Sequence, residues 1–193
     1  GFCDVHVHLR EPGFSYKETI KSGALASARG GYTDVLSMPN LNPVPHNVDN
    51  MNLQREIIKR DAVIGVHPFA SLTVDEKGET LSDIENLAPI SIGYSDDGRG
   101  VQSESLMRSA MEKANADLSV CLPVMTKPTQ FDSLNRFAIE INERFDGQKK
   151  GIISFGGIHP LCDNIPEKMK FLKDNGFKGV KIHPDYQDTF IND

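Results

Sequence analysis

Short apolar runs alternate with helical patterns along almost the whole chain, and this alternation limits the fold more than any other feature. Runs of β-type composition occupy residues 3–9, 33–38, 63–71, 89–95, 118–125, 152–158 and 179–183. Several are apolar with little alternation, as parallel strands covered by helices require. The stretches between them carry helix signals. Ser15-x-x-Glu18 reads as a capping box, with Ile20, Ala24 and Ala28 as an apolar stripe and Gly30-Gly31 as a stop. Asn47 caps a second helix with Val48, Met51, Arg55 and Ile58 on one side, and Ser103 caps another. Thr80-x-x-Asp83 and Thr129-x-x-Asp132 open further helices, and Pro166 and Gly176 bound the last. Repeated strand–helix units imply a parallel sheet with right-handed crossovers, either a closed barrel or a doubly wound open sheet. No G-x-G-x-x-G or P-loop marks a nucleotide site, which lowers the open-sheet option. The expected fold is α/β, a TIM-like (β/α) barrel of about seven strands forming a single domain over residues 1–193. The chain's 193 residues are a short length for a complete barrel, since eight strand–helix units usually need ~250.

The first run explains where chemistry would sit. Side chains alternate across a strand, so Asp4, His6, His8 and Arg10 share one face, and Cys3, Val5, Val7 and Leu9 the other. Two imidazoles two residues apart can reach one cation, and a guanidinium can grip a carboxylate with two hydrogen bonds. Polar clusters recur at the carboxyl ends of later runs, where barrels place their chemistry. They are Met38-Pro39-Asn40, Ser95-Asp96-Asp97-Gly98, His159-Pro160 and His183-Pro184-Asp185. On the fourth run Gly93, Ser95 and Asp97 share the small, polar face. Each of these residues also has a plain structural reading. Asp97 can cap a helix or turn, Asn40 can serve a turn after proline, and His159 and His183 can simply precede prolines. His46 and His67 fit structural or exposed positions.

Bulk properties narrow the partners. The net charge is -6 with no basic, aromatic-interleaved cluster, so a nucleic-acid surface is not expected. No apolar run reaches membrane-spanning length and no signal-peptide pattern opens the chain. Cys3, Cys121 and Cys162 are scattered, which suits reduced thiols and a cytoplasmic location. The chain opens directly on a strand, so further residues are expected ahead of Gly1. A homo-oligomer is left open.

The run Asp-Val-His-Val-His-Leu-Arg-Glu-Pro-Gly-Phe, residues 4–14, closely resembles the signature of bacterial dihydroorotases. So do Lys17-Glu18-Thr19-Ile20, Gly30-Gly31-Tyr32-Thr33, Met38-Pro39-Asn40 and Ser95-Asp96-Asp97-Gly98, in matching order and spacing. These motifs carry the resemblance over about residues 1–115. It implies a metal-dependent amidohydrolase barrel that interconverts dihydroorotate and carbamoyl aspartate in pyrimidine biosynthesis. It also implies that His6, His8 and Asp97 bind Zn2+ and that Arg10 and Asn40 hold the carboxylate of a small-molecule substrate. From about residue 117 the chain resembles a different amidohydrolase-related family of metal-dependent hydrolases. The segments 119–128, 153–160 and 179–187 carry this second likeness. The chain then reads as a chimera of halves 1–115 and 116–193.

A dihydroorotase site needs two further histidines and a late aspartate as ligand and proton shuttle, and no motif places them here. By position His159 and His183 are candidate metal ligands, and Asp185 a candidate replacement; the catalytic base stays unassigned. Two functional classes follow: a zinc-dependent hydrolase acting on cyclic amide C–N bonds, and a non-catalytic or chimeric barrel with an incomplete metal site. Both predict that His6, His8 and Asp97 meet at one end of a parallel sheet.

Overall fold

A computed structural model describes residues 1–101, 103–148, 151–183 and 187–189. The chain forms two compact units, Gly1–Asn115 and Ala116–Asp193. Strands and helices alternate as the sequence implies, and every strand pair among the described residues is parallel.

The first unit is a four-stranded sheet in the order β1 (Phe2–Val7), β2 (Tyr32–Ser37), β3 (Gly65–Ala70) and β4 (Gly93–Tyr94). Helices α1 (Ile20–Arg29) and α2 (Val48–Asp61) make the first two crossovers. A 3-10 turn at Val74–Glu76 and the short α3 (Ile84–Leu87) lie in the third, and α4 (Glu104–Lys113) follows β4. Leu9, Ile20, Val35 and Val66 form the core between helices and sheet. Burying one such side chain contributes about 1.5–3 kcal/mol. Met51, Ala70 and Leu87 make a second cluster.

Three helix details depart from the sequence pattern. Helix α1 is capped by Thr19, whose hydroxyl accepts the Ser22 amide, rather than by Ser15. Its first amide, from Ile20, is taken by the Glu11 carboxylate at 2.9 Å. The buried face of α1 is Ile20, Gly23 and Ala24, while Ala28 is exposed. Leu9 comes so close that a Cβ at Gly23 would lie 2.4 Å from its Cδ2, so any larger residue there would require the Leu9 side chain to shift. On α2, Arg55 is exposed and Gln54 is buried instead, because Gln54 Nε2 reaches the buried Ser37 hydroxyl at 3.2 Å.

In the second unit, β5 (Leu118–Cys121) pairs with β6 (Gly151–Ser154), and β7 (Gly156–Gly157) with β8 (Val180–Lys181). Helix α5 (Phe131–Phe145) precedes β6, and α6 (Ile165–Asp174) precedes β8. Met125, Phe131, Cys162 and Leu172 form its core. Asparagines do here what a neighbouring strand would do. The Asn142 amide takes both the N–H and the C=O of Ser154, and the Asn135 amide does the same for Gly157.

The described residues thus hold eight short strands rather than seven long ones. The run at 152–158 divides at Phe155 into β6 and β7. The run at 89–95 shrinks to Gly93–Tyr94, because the amides of Ile90 and Ser91 bond the Leu87 carbonyl and extend the end of α3. The run at 118–125 stops at Cys121, shortly before Pro123, which has no N–H for a ladder. Among the described residues no helix is long and apolar enough to cross a membrane. The three cysteines are free thiols, with Cys162 buried.

One loop of the first unit is held with unusual firmness. The Asp96 carboxylate accepts the amides of Leu72 at 2.8 Å and Thr73 at 3.0 Å, and also the Thr73 hydroxyl. Just beyond, Asp75 and Glu76 adopt left-handed backbone, with φ of 54° and 56°. For non-glycine residues this costs on the order of 1–3 kcal/mol each. Glu76 is buried, and burial pushes its carboxyl up from an ordinary 4.5 to about 7.

Two stability predictions follow from these contacts. Asn135→Ala leaves the Gly157 N–H and C=O without partners and should destabilise the second unit by about 1–3 kcal/mol, read as a lower urea midpoint. Asn142→Ala, at a half-buried position, should cost less. For Glu76 the folded state holds the proton more tightly than the unfolded state. Its contribution is therefore full below about pH 4.5 and is lost as pH rises through about 7. Glu76→Gln, neutral throughout, should match wild type in Tm at pH 4.5 and exceed it increasingly towards pH 8.

Candidate functional site

The site is built at the carboxyl end of the first unit's sheet. Strand β1 ends at Val7, and its last turns of chain present His6 and His8. The backbone of His6 is fixed by its amide bonding Asp4 Oδ1 at 3.0 Å. The two rings lie 5.3 Å apart between centroids and nearly edge to face. Asp97 arrives from the turn after β4. Its carboxylate oxygens lie 3.5 Å from His6 Nε2 and 3.4 Å from His8 Nε2. β1 and β4 are the outer strands of the sheet, and in a flat sheet three strand spacings would hold them roughly 14 Å apart. Contact between their ends means that this sheet is strongly curved.

His6, His8 and Asp97 form the one group of three metal-capable side chains among the described residues, with ligand atoms all within 4.8 Å of one another. The 3.4 and 3.5 Å separations are long for hydrogen bonds between these groups. They agree with the edge of a tetrahedron of ligands at ~2.0–2.1 Å from a metal, which is ~3.3 Å. Two imidazoles and a carboxylate, each about a quarter exposed, are a donor set that fits a divalent transition metal.

Arg10 does not continue the face that carries His6 and His8. Its φ of 57° turns the chain out of the strand, and the turn is closed by the Phe14 amide on the Arg10 carbonyl. Glu11 then anchors the loop to the start of α1. Gly13, with φ of 96°, packs so tightly on Asn42 that a Cβ would lie 2.3 Å from the Asn42 carbonyl oxygen. The Asn42 amide bonds Pro12 O at 3.2 Å, so the loops carrying Arg10 and Asn40 are stitched together. Among the described residues the Arg10 guanidinium has no hydrogen-bond or ion-pair partner.

Asn40 is the residue most deeply tied in. Its Nδ2 donates to Glu76 Oε1 at 3.0 Å and to the Asp97 main-chain carbonyl at 2.8 Å. Its Oδ1 is buried without a hydrogen-bond partner. Both N–H groups are engaged, so holding a carboxylate would require one of these bonds to be exchanged.

Two side-chain roles around the site escaped the sequence reading. Asp96 is the neighbour of Asp97 but turns away from it to hold the Leu72–Thr73 backbone. Glu76 sits across the fold from Asn40 in sequence, and nothing in its local pattern marks it. The available hint was an acidic loop following the carboxyl end of the third strand run.

The remaining histidines are placed as follows. His159, in the second unit, is buried, and its Nδ1 accepts the Leu161 amide at 3.1 Å, so the ring proton sits on Nε2. His183 is half-buried and donates its main-chain N–H to Gln187, whose amide also bonds the carbonyls of Met125 and Ile158. Asp185 lies outside the described residues. In the first unit His67 pairs at 2.9 Å with Asp34 on the surface, and this hydrogen bond holds the Asp34 carboxyl below its ordinary range. His46 Nδ1 lies 3.1 Å from Asp75 Oδ1.

Comparison with known proteins gives the chain a family. Residues 1–161 match the Dihydro-orotase-like family. The match runs past residue 115, where the quoted motifs end. A dihydroorotase of Fusobacterium nucleatum is 55% identical over 111 residues, which is 58% of this chain and 26% of the relative. Dihydroorotases of Macrococcus caseolyticus and Bacillus cereus are 48% and 45% identical over 166 residues, 86% of this chain and 37% of each relative. The chain therefore spans between about a quarter and somewhat over a third of the length of these relatives. Because the family match takes in 161 of the 193 residues, the chain belongs to the dihydro-orotase-like family.

Proposed function

We propose that this chain carries part of the zinc-dependent centre of a dihydroorotase, which interconverts dihydroorotate and carbamoyl aspartate in pyrimidine biosynthesis. The convergence of His6, His8 and Asp97 within 4.8 Å is the observation that carries this reading. In the same reading the curved sheet is one part of a (β/α) barrel.

When bound, zinc supplies Lewis-acid polarisation of an amide carbonyl and a bound water of lowered pKa. His6, His8 and Asp97 would hold it. Arg10 presents an unpaired guanidinium from a braced turn and would grip the substrate carboxylate with two parallel hydrogen bonds. Asn40 would add an N–H to the same carboxylate only by exchanging its bond to Glu76 or to Asp97. No residue here is assigned as the proton-accepting carboxylate.

The test is zinc content and ligand binding of the purified chain. His6→Ala and His8→Ala should each lose tight zinc binding while keeping wild-type circular dichroism; a double variant that retains its zinc would make both histidines structural. Arg10→Ala should weaken dihydroorotate binding by roughly 10–100-fold, the equivalent of about 1.5–3 kcal/mol for a hydrogen-bonded charge.

Turnover by the 193 residues alone should be weak or absent, since a general base typically contributes ~10²–10⁴-fold. Hydrolysis of dihydroorotate at ordinary enzyme rates, abolished by Arg10→Ala, would instead mean that a base is present among them.

A further inference from the structure

We propose that Glu76 is a positioning residue for the metal centre: its buried carboxyl holds the Asn40 amide, and the second N–H of that amide holds the main-chain carbonyl of Asp97. The inference rests on the zinc reading above and adds a residue to it. The relay is short. Glu76 Oε1 accepts from Asn40 Nδ2 at 3.0 Å, and the same nitrogen donates to Asp97 O at 2.8 Å. The Asp97 carboxylate then lies 3.5 and 3.4 Å from the two histidines.

Glu76 is what decides the orientation of the Asn40 amide. Two acceptors face Nδ2, so the NH2 end must point at them. The opposite atom, Oδ1, is buried and receives no hydrogen bond, so that side offers no orientation. Without Glu76 a single carbonyl would remain to hold the amide. An end-for-end turn would then set Oδ1 against Asp97 O, acceptor against acceptor, and release Asp97.

The surrounding chain is arranged to deliver this carboxyl. Glu76 is only 5% exposed, an unusual place for an acid whose sole purpose was to make a turn. Asp75 and Glu76 both adopt left-handed backbone that glycine or asparagine would accept more readily. The loop is pinned ahead of Glu76 by Thr73 on Asp96, and beside it Asp75 approaches His46 at 3.1 Å. Residues that orient metal ligands from one bond away typically change metal affinity 10–100-fold when removed.

The experiment measures the zinc affinity of the whole 193-residue chain by competition with a chromophoric chelator, with Tm recorded separately. Glu76→Ala, Glu76→Met and Asn40→Ala should each weaken zinc about 10-fold. The Glu76→Met, Asn40→Ala double variant should be no weaker than either single, because both break one relay. Glu76→Gln keeps an acceptor oxygen and should bind close to wild type. Glu76→Met keeps the length and fills the space, so it decides the matter if the alanine variant does not fold.

Wild-type zinc affinity in Glu76→Met, with or without a lower Tm, would overturn the proposal. So would a Glu76→Gln variant as weak as Glu76→Met, or additive losses in the double variant. His6→Ala separates the two levels. If it loses zinc while Glu76→Met does not, the zinc reading stands and the role of Glu76 falls. If His6→Ala binds as tightly as wild type, the zinc reading itself has failed.

Discussion

The first unit depends on what one carboxylate does. Asp96 gathers two main-chain amides and a hydroxyl from Leu72 and Thr73. A buried charge is tolerable only where several donors meet it, and here they belong to the loop that leaves β3. The bond set therefore ties the exit of one strand to the exit of the next. With the loop fixed, Glu76 reaches Asn40, and Asn40 reaches the carbonyl of Asp97. The cluster of His6, His8 and Asp97 is the visible end of a chain of polar contacts that starts in the interior.

The second unit solves a different problem with amides. Its strands are two to four residues long, too short for ladders to satisfy their own backbones. Asn135 and Asn142 stand seven residues apart, two turns along one side of α5, and each supplies a donor and an acceptor to one strand residue. Helix and strands are joined there by directional bonds as well as by the apolar packing of Met125, Phe131 and Leu172. The same logic appears at Gln187, which bonds three main-chain groups.

Much of the fold and the heart of the site could be read from the residues. Strand–helix alternation is local and periodic, so the parallel architecture was visible. His6 and His8 share a strand face, which period two made visible, whereas Asp97 was marked by the family resemblance, since β4 ends at Tyr94 and Asp97 lies in the turn beyond it. Arg10 broke that period because its backbone turns left-handed, which no side-chain pattern announces. The run at 89–95 lost most of its strand because the end of α3 consumed its first amides. Glu76 was invisible because its partner, Asn40, is 36 residues away and the contact is made only by tertiary structure. Gln54 and Asn135 looked like breaks in apolar stripes and are instead buried polar ties.

Asp96 and Asp97 are consecutive, chemically identical, and turned to different neighbours. Peptide geometry makes each the other's phase reference. A residue inserted between β4 and Asp96 would rotate both at once, offering the wrong carboxylate to the loop and the wrong one to the histidines. A length change beyond Gly100, past the amides of Arg99 and Gly100 that close the turn on the Asp96 carbonyl, would disturb neither. Length changes among relatives should therefore be rejected over the few residues from Gly93 to Gly100 and accepted beyond, a boundary drawn by the turn that closes on Asp96.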